Sequence, residues 1–148
     1  MENKMIEIPV KNTEGVYGKM RAAHIGLRTT DFDGSISWYI EKLGFRLLKK
    51  WSVGELNMAF LAPANDDNFW LEILNGGISG SSQDSSQPII SGFQHLCFEV
   101  ENLDETIAAL RENNVTVLRE PFPVAAIGKR CGFIADLFGN VIELTENI

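Results

Sequence analysis

HLCFEVENLDETIAALRENN, residues 95–114, reads as a strand that runs into a helix. Leu96, Phe98 and Val100 alternate as a half-buried strand requires. Asn102 and Glu105 are spaced as N-cap and N3, a variant of the capping box. Behind them Leu103, Ile107 and Leu110 recur at helical spacing along one side. Seventy-one positions earlier, HIGLRTTDFDGSISWYIEKLG (24–44) follows the same plan. His24 matches His95, Ile25 matches Leu96 and Leu27 matches Phe98. Phe32, Asp33, Ser35, Ile36 and Tyr39 then match Leu103, Asp104, Thr106, Ile107 and Leu110. Farther on, Leu47 matches Leu118, and Leu71-Glu72-Ile73 matches Ile142-Glu143-Leu144. Each half therefore carries one histidine and, 48 residues later, a glutamate between aliphatics. The chain contains an internal repeat.

The rest of each half completes one succession of elements. In the first, Ile36, Tyr39, Ile40 and Leu43 give the helix its apolar side and Gly44 ends it. FRLLKKWSV, LNMAFLAP and NFWLEILNG follow as three strands, parted by turn residues at Val53-Gly54 and from Pro63 to Asn68. In the second, strands around VTVLRE, GKRCGFIAD and NVIELTE follow the helix. GGISGSSQDSSQPIISG, rich in Ser and Gly, separates the halves as a linker. The sequence thus predicts an α+β fold of two βαβββ modules. An N-terminal extension covers residues 1–19, the first module 20–76, the linker 77–92 and the second module 93–148.

Thirteen basic and twenty acidic residues give a formal charge of −7. That balance repels phosphate backbones and anionic lipid, which argues against nucleic-acid and membrane partners. No apolar run reaches the length of a membrane span, and MENKMIEIPV lacks the pattern of a secretory signal. The two cysteines, Cys97 and Cys131, form no CxxC pair, so a reduced, cytoplasmic setting is expected.

Alternation decides where the polar residues point. Ile25 and Leu27 lie on one face of their strand, while His24 and Arg28 lie on the other. Leu71 and Ile73 oppose Glu72, Leu96 and Phe98 oppose His95, and Ile142 and Leu144 oppose Glu143. The helices need an aliphatic sheet face to pack on, so both His and both Glu must face the opposite side. A single His or Glu in a strand is ordinarily a core or solvent-facing side chain. Four on one face, in two repeat-related pairs, are a different matter. Two buried carboxylates are costly unless a cation neutralises them. Two imidazoles and two carboxylates suit one divalent metal per site, with Zn, Ni, Co, Mn and Fe all compatible.

The stretches HIGLRTTDFDGSISWYIEKLGFRLL, FWLEILN, FQHLCFEVENLDETIAALRENNVTVLREP and CGFIADLFGNVIELTEN resemble the vicinal oxygen chelate superfamily. That superfamily holds the glyoxalases, bleomycin-resistance proteins and extradiol dioxygenases. The resemblance runs from about Met20 to the C-terminus and is nearest to glyoxalase I-type members. It implies that paired βαβββ modules form a cup-shaped mixed sheet with helices outside, and that His24, Glu72, His95 and Glu143 bind the metal. Arg28 falls where glyoxalase I carries an arginine that contacts glutathione. Two departures stand out: Asn75 comes one residue before the family's Asn, and residues 135–140 replace its usual acidic, proline-containing turn.

By resemblance the protein is a lactoylglutathione lyase-like metalloenzyme. Such a lyase or isomerase moves a proton next to a carbonyl through a metal-bound enediolate, with Glu143 as catalytic base, Glu72 as ligand and candidate second base, and a small molecule as substrate, a glutathione hemithioacetal being the candidate. One alternative is a non-haem iron dioxygenase using His24, His95 and Glu143. The other is a methylmalonyl-CoA epimerase-like enzyme, for which Glu55 is the candidate extra carboxylate. One module leaves a sheet edge open, and this together with the resemblance predicts a homodimer.

Overall fold

The computed structural model describes residues 6–15, 18, 23–77 and 95–148. The expected linker from residue 78 onward, and parts of the expected extension, lie outside the described residues. Two compact units emerge, 8–77 and 95–148, the second also taking residues 6–7. Among the described residues no helix is long and apolar enough to cross a membrane.

The first unit runs β1 (His24–Arg28), α1 (Phe32–Leu43), β2 (Arg46–Val53), β3 (Leu56–Ala62) and β4 (Trp70–Leu74). The second repeats this as β5 (His95–Glu99), α2 (Leu103–Glu112), β6 (Thr116–Val124), β7 (Lys129–Ala135) and β8 (Val141–Asn147). Each is a four-stranded mixed sheet, ordered β1-β4-β3-β2 and β5-β8-β7-β6. In each, the helical crossover carries the chain to the far edge, and two antiparallel turns bring it back. The last strand then slots beside the first in parallel register, which aligns Gly26 with Glu72 and Cys97 with Glu143.

Local chemistry sets the helix ends. The Glu105 N–H donates to Asn102 Oδ1 at 3.0 Å, as the expected N-cap requires, and the Gly34 N–H donates to Asp31 Oδ1 at 2.9 Å, a cap that the structure adds. Gly44 ends α1 at φ +67°. After α2 the same left-handed turn falls to Asn114 at φ +61°, a residue type that tolerates it. Arg130 on β7 pairs with Asp104 at the start of α2 and with Glu146 on β8, tying helix to sheet.

Two expectations need adjustment. Ile40 is 37% exposed, so the buried side of α1 is narrower than its spacing suggests and rests on Ser35, Ile36 and Tyr39. The strand expected around VTVLRE continues through Pro121 and Pro123 to Val124. β6 is an outer strand, where a missing N–H leaves fewer ladder bonds unmade.

Each helix packs on one sheet face. Leu61, Leu71 and Ile73 lie fully buried under α1, and Ile134, Ile142 and Leu144 are buried under α2. Ile142→Ala is expected to cost about 2–5 kcal/mol, read as a lower urea midpoint. Glu143→Gln, next in sequence but on the other face, is expected to stay within about 1 kcal/mol of the parent.

Candidate metal centre

The face turned from α1 is built around Glu72. Phe60 on β3 and Gly26 on β1 are its register partners, and His24 lies two residues from Gly26. His24 Nε2 stands 3.4 Å from Glu72 Oε2. A methyl group at Gly26 would sit 3.6 Å from that oxygen, in ordinary contact, and 3.3 Å from Leu74 Cδ1. The second unit repeats the arrangement. Phe133 and Cys97 flank Glu143, and His95 Nε2 stands 2.9 Å from Glu143 Oε2.

The two pairs match in environment as well as geometry. The His side chains are 38% and 35% exposed, and both Glu side chains are 17% exposed. Two ligand atoms each about 2.1 Å from one divalent ion lie about 3.0–3.4 Å apart at octahedral or tetrahedral angles. The observed separations suit a shared ion on each pair. Among the described residues no cluster of three or more His, Cys, Asp or Glu side chains is poised for a metal, and each unit places one His–Glu pair on this face.

Arg28 lies on the same face as His24. Its Nη1 donates to the Asn75 carbonyl at 2.9 Å, and that contact holds the guanidinium against the end of β4. The early Asn75 has a structural task. It accepts from the Asn57 N–H at 2.9 Å and donates to the Glu55 carbonyl at 3.0 Å, pinning the β2–β3 turn. Glu55 itself is an exposed residue of that turn. The departure at residues 135–140 is held by Asp136. Its carboxylate accepts from the N–H groups of Phe138 and Asn140 and from Asn140 Nδ2, at 2.7–2.9 Å.

A superfamily profile, the glyoxalase/bleomycin resistance protein/dioxygenase superfamily, matches residues 21–144. The chain belongs to this superfamily. It is 31% identical over 130 residues to a lactoylglutathione lyase of Arabidopsis thaliana, covering 85% of this chain but only 44% of that one. A lactoylglutathione lyase of Salmonella typhimurium is 29% identical over 131 residues, covering 86% of this chain and 93% of that one. The crystal structure of glyoxalase I from Zea mays superposes with a TM-score of 0.66 at 26% identity, over 86% of this chain and 44% of that one. The chain thus spans under half the length of these plant relatives.

Reading the sequence alone overlooked other side chains on this superfamily fold's site face. Trp51, Phe60 and Trp70 gather beside His24, and Phe122 and Phe133 beside His95. Strand alternation places Trp70 with Glu72, but Trp51 and Phe60 join them only through strand register. Cys97 and Cys131 also border Glu143. Burial, followed by hydrogen bonding to Glu143, pushes the Cys131 thiol up to about 11. Burial likewise raises Cys97. A free thiol is half ionised near pH 8.5, whereas a raised value keeps the proton on through that range. In EDTA-treated protein, alkylation of the exposed Cys97 by iodoacetamide should therefore keep accelerating above pH 8.5, instead of levelling off. A plateau near pH 9, read by mass spectrometry, would contradict this environment.

Proposed function

We propose that this chain is a divalent-metal lyase or isomerase of the glyoxalase I type, acting on the hemithioacetal of a small α-oxoaldehyde and a thiol such as glutathione. The observation that carries this is the pair of His–Glu contacts, alike in spacing and exposure, at repeat-related positions. The names of the relatives and the superfamily membership agree with it.

In this reading His24, Glu72, His95 and Glu143 hold one ion per site, Zn, Ni, Co, Mn or Fe. The ion supplies a Lewis acid beside the substrate's oxygens. Glu143 takes the proton from the carbon next to the carbonyl and returns it to the neighbouring carbon. It lies among Phe133, Cys97 and Cys131 with its side chain 17% exposed, which limits water around the carboxylate. Glu72 balances it as the opposite carboxylate, and Arg28 receives a carboxylate of the thiol. The close match of the two pairs supports four protein ligands over a three-ligand iron oxygenase site, in which Glu72 would have no reason to mirror Glu143. Each unit brings two ligands, so a complete site needs both kinds. A two-fold homodimer supplies two such sites, with His24 and Glu72 of one chain meeting His95 and Glu143 of the other.

Metal analysis and a turnover assay with methylglyoxal hemithioacetal test this together. The parent should bind about one divalent ion per chain, and His24→Ala and His95→Ala should each lose at least about 10–100-fold in metal affinity. Unchanged affinity in both variants rejects the site. Glu72→Gln keeps an oxygen ligand but loses a charge, so both affinity and turnover should fall. Parental behaviour would remove Glu72 from the ligand set.

The shared-site arrangement has its own test. Mixing His24→Ala chains with Glu143→Ala chains should give heterodimers with one intact site and about half the parent's metal capacity. Verified heterodimers with no recovery would place each site within one chain.

A further inference from the structure

On the helix side of the first sheet, away from Glu72, a cavity of about 320 Å³ opens beside the first turn of α1. Phe32 and Asp33 of α1, Lys50, Trp51 and Ser52 of β2, and Asn57 of β3 line it. Such a volume is at the lower end for small-molecule pockets. Strand pairing sets Ser52 opposite Asn57 and Lys50 opposite Ala59, which puts these side chains on the face that α1 covers. Ser52 Oγ donates to Asn57 Oδ1 at 2.6 Å. Lys50 Nζ reaches Asp33 Oδ1 at 2.9 Å and lies 5.3 Å from the Phe32 ring centroid.

The second unit shows what such a place accepts. Asp104 matches Asp33, each being the second residue of its helix. Phe60 and Phe133 both stand opposite the site glutamate, so Asn57 and Arg130, each three positions earlier, also correspond. Arg130 turns its guanidinium onto Asp104 in a two-pronged contact, Nη1 to Oδ2 at 2.6 Å and Nη2 to Oδ1 at 2.9 Å. Its Nη1 also donates to Glu146 Oε2 at 3.3 Å. Asn57 is too short to repeat this bridge, and the cavity lies where the second unit has the arginine side chain. Lys50 reaches Asp33 from β2 instead, through one contact between side chains 47% and 82% exposed. An ion pair so open to water is worth little and is easily displaced.

Independently of the metal chemistry proposed above, we infer that this cavity is a binding site for a guanidinium group on an alkyl chain, carried by free arginine or by an arginine side chain of a peptide. The guanidinium takes the place that Arg130 holds in the second unit. It displaces Lys50, pairs with Asp33 through two parallel N–H donors and turns a third toward Asn57 Oδ1. Phe32, where the second unit has Leu103, adds an aromatic face for the cation. The formal charge of −7 draws cations to the surface of the chain.

An NMR titration of the whole chain with Nα-acetyl-L-argininamide, read on the backbone amides of Asp33, Ser52 and Asn57, tests the site. The shifts should saturate, with an affinity roughly five- to tenfold above that of Nα-acetyl-L-lysinamide, whose ammonium cannot pair in two-pronged fashion. Free L-arginine binding more tightly than the capped compound assigns the site to the free amino acid, and the reverse order assigns it to a peptide side chain. Lys50→Met removes the competing cation and should tighten binding about two- to fivefold. Asn57→Arg, which copies the second unit and so suits the fold, should fill the cavity and abolish binding. Asp33→Asn, at an exposed position, should weaken binding at least about tenfold. Equal affinities for the arginine and lysine compounds, or binding left unchanged by Asn57→Arg or by Asp33→Asn, would overturn the site. So would a Lys50→Met chain that binds more weakly than the parent.

Discussion

Each sheet has one face covered by a helix, and the rest of the structure depends on that constraint. Leu71 and Ile73 must lie under α1, and Ile142 and Leu144 under α2, because exposing four such side chains would cost several times about 1.5–3 kcal/mol. Strand alternation leaves no choice for the residues between them. Glu72 and Glu143 are driven onto the opposite face as a consequence of aliphatic burial. The parallel first strand then brings its histidine within contact distance, at 3.4 Å in one unit and 2.9 Å in the other. Stability and site chemistry thus occupy opposite faces of the same strands. This separation allows a polar site to differ between relatives without disturbing the core.

The repeat is more exact in space than in sequence. β4 maps onto β8 at an offset of 71 residues, but β3 maps onto β7 at 73. The connection after β6, residues 125–128, is two residues longer than the Gly54-Glu55 turn. The connection after β7, residues 136–140, is two residues shorter than 63–69. The two changes cancel, and Glu143 returns to register with Glu72. Asp136, buried and bonded to the shorter loop's N–H groups, makes that compact turn feasible. The compensation hides the correspondence of Phe60 with Phe133, although both stand opposite the site glutamate.

Within this common frame the two halves have diverged around their carboxylates. Gly26 is the register partner of Glu72, where Cys97 places a thiol beside Glu143. Arg28 has its counterpart in Glu99, whose carboxylate is neutralised by Lys129 at 2.9 Å. One half therefore presents a cation and bare aromatic rings, and the other a compensated ion pair and a cation-capped ring.

The sequence by itself determined the two βαβββ patterns, the Asn102 N-cap and the face on which both His and both Glu lie. These are local properties: alternation, helical spacing and capping act over a few residues and survive any tertiary arrangement. That His24 shares a face with Glu72, and His95 with Glu143, was legible for the same reason, reinforced by repetition. The tertiary structure alone decided which side chains meet. Trp51, Phe60 and Trp70 are separated by nine or more positions along the chain and become neighbours through strand pairing. That pairing depends on bulges and loop lengths, such as the irregularity between Leu47 and Lys49, which no local pattern encodes. Likewise the extension of β6 through Pro121 and Pro123 suits an outer strand, a position only the sheet order reveals. Register is a property of the whole sheet, and the aromatic surroundings of the site follow from it.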